Sequence, residues 1–173
     1  AATGRVRALD FKAYYEGTPV DNAPDPELYR AVAAAFPDAV LEDPALDEGS
    51  RAALHGEEAR FSFDAPIHSW ADVEALPVRP RHLNVKPSRF GSLARLLEAV
   101  ERAQGDGIEL YGGGQFELGV GRDQIQALAS LFYADGPNDT APREYHGDAR
   151  PGVPRSPLVP LEQAPGFAFA FRR

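Results

Sequence analysis

Cysteine and methionine are both absent from this chain of 173 residues, and tryptophan occurs once. Without cysteine there can be no disulfide and no thiolate metal site. No apolar run approaches the roughly 20 residues that a membrane-crossing helix needs, so a membrane role is not expected. Basic residues are outnumbered, 18 Lys and Arg against 26 Asp and Glu. The resulting net charge of −8 argues against nucleic acid as the main partner. No signal peptide opens the chain, which makes the cytoplasm the expected location. The first residue is Ala1 rather than methionine, and a strand-like run begins by Val6. Together these predict the C-terminal part of a longer protein.

What is present is an ordinary hydrophobic fraction, 43%, in a length suited to one buried domain with a tail. Strand and helix patterns alternate to about residue 134. Asp25-Pro26 reads as an N-cap and a first-turn proline, opening a helix that Pro37 stops. Ala39-Val40-Leu41 is a short strand, and Glu48 to His55 a weak helix. Phe61 and Phe63 mark the next strand, after which Ser69 caps a helix with Asp72 at its third position. Leu83 and Val85 make another strand. Leu93, Leu96, Leu97 and Val100 then fall at i, i+3, i+4 and i+7 of the clearest helix. Ile108 to Tyr111 is a strand running into Gly112-Gly113-Gly114, and Ile125, Leu128, Ala129 and Phe132 mark a last helix. This rhythm predicts a parallel α/β sheet, with barrel and doubly wound arrangements both open. Residues 136–173 carry seven prolines and are expected to pack over the domain as extended chain, with a last strand near 167–171.

One ionisable residue stands at the end of each of four strand-like segments: Asp10, Glu42, Asp64 and Lys86. The last three recur every 22 residues, and Asp10 precedes Glu42 by 32. A single such carboxylate is usually a solvated surface group. Three at corresponding places suit a hard cation, for which Mg²⁺ is the expected ion. A lysine desolvated beside a dication can serve as a base near neutral pH. The glycine run has no Gly-Lys-Ser/Thr ending and no GxGxxG after a strand, so it reads as close backbone approach with Glu117 beside the pocket. The four histidines lack HExxH-like spacing and read as surface or turn residues.

The segments LNVKPSRFGSLARLLEAV and YGGGQFELGVGRDQIQALASL resemble the C-terminal barrel of the enolase superfamily. The nearest subgroup holds the muconate-lactonising enzymes, o-succinylbenzoate synthases, N-acylamino acid racemases and dipeptide epimerases. Its members carry Asp-x-Asn, Glu-x-Pro, Leu-Asp-Glu-Ser, Lys-Pro-x-Arg-x-Gly-Gly, and a glycine pair before a glutamate. The resemblance spans about residues 5–135. It implies a TIM-like (β/α) barrel, partial here, with the N-terminal cap and the first strands lying elsewhere. It implies that Asp10, Glu42 and Asp64 bind Mg²⁺, that Lys86 is the general acid/base, and that Glu117 lines the substrate pocket. The implied reaction is removal of a proton α to the carboxylate of a small molecule through an enolate. Racemase or epimerase and lyase or dehydratase remain open outcomes.

The pattern also departs from that family. Lys12 stands where the asparagine is usual, Ala65-Pro66 where Glu-Ser is, and Ser92 where the second glycine is. Asp21 is a rival to Asp10 as first ligand. A Lys-x-Lys strand should precede Asp10 and has no room, since a whole barrel needs roughly 200–250 residues. Association with another copy, or with the upstream part of the protein, is expected to complete the sheet. The alternative to an enzyme is a binding or structural domain that keeps the barrel without its chemistry.

Overall fold

Five short strands lie parallel and in chain order: β1 (Ala8–Asp10), β2 (Val40–Glu42), β3 (Phe61–Phe63), β4 (His82–Val85) and β5 (Glu109–Gly112). They belong to a computed structural model that describes residues 5–141 and, as backbone, β6 (Leu158–Pro160) and β7 (Phe169–Phe171). The intervening helices are α1 (Pro26–Ala35), α2 (Glu48–Ala53), α3 (Trp70–Ala75), α4 (Leu93–Gly105) and α5 (Gly119–Phe132). A doubly wound sheet reverses its strand order part-way; this one never does. The result is a curled α/β half-barrel.

Alternation along each strand sorts side chains to two faces. Leu41, Phe61, Phe63, Leu83 and Val85 join Tyr29 and Ala33 of α1 and Leu96, Ala99 and Val100 of α4 in one buried cluster. The other face carries Glu42, Ser62, Asn84 and Tyr111, buried but polar. Helix starts follow their caps. The Asp25 carboxylate accepts the N–H groups of Glu27 and Leu28 at 3.0 Å, worth about 1 kcal/mol. Ahead of α3, Asp72 accepts the His68 N–H and the Ser69 hydroxyl, both at 2.9 Å. Ser69 itself makes no side-chain cap to the helix backbone.

Two expectations change. The buried stripe of α4 is Leu96, Ala99, Val100 and Ala103, while Leu93 and Leu97 are exposed. The helical spacing holds, but small alanines turn the contact face toward the sheet. The proline-rich region is not wholly irregular, since β6 pairs antiparallel with β7 and includes Pro160. How residues 142–173 pack otherwise lies outside the described residues. Asn138 and Asp139 are hydrogen-bonded to Gly112 and Gly114 at the end of β5. No helix among the described residues is long and apolar enough to cross a membrane.

Candidate active site

Strand register sets the heights of the four expected groups. Asp10 is paired with Glu42, Glu42 with Ser62, and Ser62 with His82. Asp64 therefore stands two residues above Glu42, and Lys86 four residues above His82 on the same inward phase. Each two-residue step is roughly 6.6 Å, and tilted barrel strands produce such a climb. Asp21, the rival to Asp10, is exposed in the loop after β1.

Each carboxylate has its own protein partners. Asp10 is ion-paired with the Lys12 ammonium and accepts the Lys12 N–H at 2.8 Å. Burial works against the charged Lys12 amine, but Asp10 outweighs it and holds that amine above its usual range. Lys12 has φ of 59°, which folds its side chain back over Asp10 and to 4.6 Å from the Tyr15 ring centroid. Glu42 takes both oxygens to Asn84 Nδ2 at 3.1 and 3.2 Å and also receives the Tyr111 hydroxyl. Tyr111 Oη in turn lies 2.9 Å from Ser62 Oγ. Asp64 receives Arg89 Nη1 at 2.8 Å and the Tyr15 hydroxyl at 3.1 Å.

Burial is the main reason Glu42, Asp43 and Asp64 resist ionisation. It pushes Glu42 up to about 8, against the Tyr111 hydrogen bond and with help from the charges of Asp64, Asp10 and Asp43. Asp64 is raised by burial too, although Lys86 and Arg89 pull it back. Asp43, which follows Glu42, is fully buried and is pushed up to about 7 by burial. Its carboxylate accepts the N–H groups of Asp64 and Ala65 at 2.8 and 2.9 Å.

Among the described residues, Lys86 is the most enclosed cation. Its Nζ donates to both oxygens of Asp139, at 2.7 and 2.6 Å. Asp10, Glu42, Asn84, Tyr111 and Asp139 line one cleft of about 440 Å³. Glu117 is elsewhere, lining a cavity of about 260 Å³ between Ser88, Leu96 and Ile125. Burial opposes its ionisation, but Ser88 and nearby backbone N–H groups hold its carboxyl below the usual range. A larger cleft of about 530 Å³, lined by Val40, His82 and Glu109, opens at the N-terminal ends of the strands. That end of a barrel serves stability rather than chemistry.

The donor set has the chemistry a hard cation requires: carboxylate oxygens, with those of Glu42 and Asp64 on buried residues. Asn84 Oδ1 adds a buried oxygen with no hydrogen-bond partner among the described residues. As arranged, though, no three Asp, Glu or His side chains among the described residues converge closely enough to hold a metal ion.

Several residues of this network had no role in the sequence reading: Asp43, Asn84, Arg89, Tyr111 and Asp139. Asn84 and Tyr111 share the inward phase of their strands with the expected ligands, and that phase was a usable signal. Asp139 follows α5 in a loop, and nothing local marks it.

A family model described as "Domain of unknown function (DUF8230) C-terminal domain" matches residues 1–147. The chain belongs to that family. No curated protein matches it significantly. Two solved structures resemble the DUF8230 domain in fold. One is an enolase-superfamily member from Listeria innocua Clip11262, 23% identical, with a TM-score of 0.56 over 71% of this chain and 35% of that one. The other is a probable mandelate racemase from Alicyclobacillus acidocaldarius, 22% identical, with a TM-score of 0.59 over 93% of this chain and 40% of that one. The DUF8230 domain thus spans well under half the length of either structure.

Proposed function

We propose that the protein supplies the acid/base rim of an enzyme that moves a proton α to a substrate carboxylate. One observation carries this reading: consecutive strand ends present Asp10, Glu42, Asp64 and Lys86 on the inward phase of one half-barrel. Asp10, Glu42 and Asp64 are the proposed Mg²⁺ ligands, with Asn84 Oδ1 as a neighbouring oxygen, and holding the ion would require them to draw closer than they stand here. When bound, the ion supplies positive charge that acidifies the α-proton. Lys86, paired with Asp139 as an ammonium in this structure, returns that proton from Nζ and takes it up in its neutral form. Tyr111 and Asn84 orient the Glu42 carboxylate, and Arg89 with Tyr15 orients that of Asp64. The enolase-superfamily likeness favours this class, and racemisation, epimerisation or elimination belongs to the whole protein. The test is deuterium incorporation at the α-carbon of a broad set of carboxylic acids in D₂O with Mg²⁺. Exchange that requires Mg²⁺ and is lost in Lys86→Ala is expected. Its complete absence across the set would sink the reading.

A second reading has its own support. Lys12 brings a cation onto Asp10, where the resembling family has an asparagine. A domain that kept the barrel and internalised its counter-charge would bind no Mg²⁺. Calorimetric titration separates the two: affinity that falls in Asp64→Asn favours the enzyme, and indifference to that change favours the binding or structural domain.

A further inference from the structure

The run Gly112-Gly113-Gly114 matches no phosphate loop, and the proposed chemistry leaves it without a task. Its surroundings are specific. A β-carbon on Gly113 would fall well inside the van der Waals shells of the Asp139 carbonyl and carboxylate oxygens. One on Gly112 would meet Val85 O at 2.5 Å and the Tyr133 ring at 2.8 Å. The space these two residues leave is filled by the chain after α5. Asp139 N–H donates to Gly112 O and Gly114 N–H to Asp139 O, both at 2.9 Å. Asn138 Oδ1 accepts the Gly112 N–H, also at 2.9 Å. Gly113 and Asp139 form a parallel bridge, so one residue of a further strand is laid beside β5.

That single residue is the one that meets the buried amine. The Lys86 side chain is 4% exposed and that of Asp139 is 61% exposed. An ammonium removed from water needs a paired, hydrogen-bonded counter-charge. Asp139 supplies it from the cleft side, in line with Asp10 and Glu42. Lysine is a flexible point charge on a four-carbon stem, and two short bonds to one carboxylate fix where it points.

We infer that Asp139 is the positioning residue of Lys86, and that the glycine run is the seat that lets Asp139 reach it. The catalytic meaning rests on the proton-transfer reading above; the placement of the amine rests on geometry alone. The chain has two lysines, Lys12 and Lys86, so lysine-selective ¹³C,¹⁵N labelling of the full chain reads each side chain separately. In the unaltered protein, Lys86 should show two inequivalent Cε protons and a slowly exchanging ammonium. Asp139→Asn and Gly113→Ala should each collapse the Cε pair and abolish the ammonium signal, with Lys12 unmoved. Asp139→Glu should keep part of the signature. Asp139 is exposed enough for its Asn variant to fold, so the test does not hang on the glycine change.

In α-proton exchange, both variants should lower kcat at least tenfold with KM nearly unchanged, within the roughly 10²–10⁴ that a placed acid–base group contributes. A mobile Lys86 in the unaltered protein, or one indifferent to both substitutions, overturns the inference even if exchange is active. Absence of exchange beside the expected spectra removes the proton-transfer reading alone and supports the placement.

Discussion

Asp43 holds Asp64 in place through the backbone: its carboxylate accepts the Asp64 and Ala65 N–H groups at 2.8 and 2.9 Å. The contact crosses from the end of β2 to the end of β3, and Asp43 adopts φ of 46° to make it. An expected ligand is therefore placed by a neighbour that has no chemistry of its own to perform.

Asp43→Ala should cost about 1–3 kcal/mol, since a buried N–H loses its acceptor. Urea denaturation measures the loss. Mg²⁺ affinity should fall in the same variant, because Asp64 is no longer fixed. Unchanged midpoint and slope would remove Asp43 from the scaffold of the site.

Arg89 and Asp64 form a pair whose side chains are 10% and 4% exposed. Breaking such a pair from one side leaves a buried charge uncompensated, so Arg89→Met should destabilise by about 3 kcal/mol. Adding Asp64→Asn removes the stranded charge and should recover part of that loss. A double-mutant cycle with no coupling beyond about 0.5 kcal/mol would show the two residues acting independently.

Stability should decrease as pH rises through the range in which Asp43 and Glu42 ionise. Their folded-state values, about 7 and about 8, lie above those of unfolded carboxyls near 4. Between those limits the folded protein holds protons that the unfolded chain has released. Their contribution is complete below about pH 4 and is lost as pH climbs to about 8, at up to about 1.4 kcal/mol per pH unit for each group. Thermal unfolding between pH 5 and 8.5 checks the sign, and Mg²⁺ should flatten the slope by favouring the ionised forms. A curve that rises over this interval contradicts the burial argument.

Much of the half-barrel was legible in advance because its signals are local. The Asp25-Pro26 start of α1 and the β2, β3 and β4 runs depend on residues adjacent in sequence. The choice of barrel over doubly wound sheet was not legible in the strand and helix rhythm, because strand order is set by pairing across tens of residues; only the enolase-superfamily resemblance implied it. The α4 face was misjudged because leucines outweigh alanines in any reading of periodicity, whereas packing against a sheet favours close approach at Ala99 and Ala103. Lys86 stood out through its motif, but its partner did not. Asp139 lies 53 residues away, beyond α5, and the glycines that admit it read as a place of close backbone approach without marking which segment approaches.

The alternation within β2, β3 and β4 carries a last consequence. Leu41, Phe63 and Leu83 point to the helices, while Glu42, Asp64 and Asn84, each the next residue along, take the opposite side. A one-residue slip of any strand would drive charge into the oily layer and expose aromatic and aliphatic groups at the rim. Such a slip is far too costly to persist. Oil-layer packing thus proofreads the placement of the reactive groups, and a chain that folds at all folds with its acids and amine turned inward.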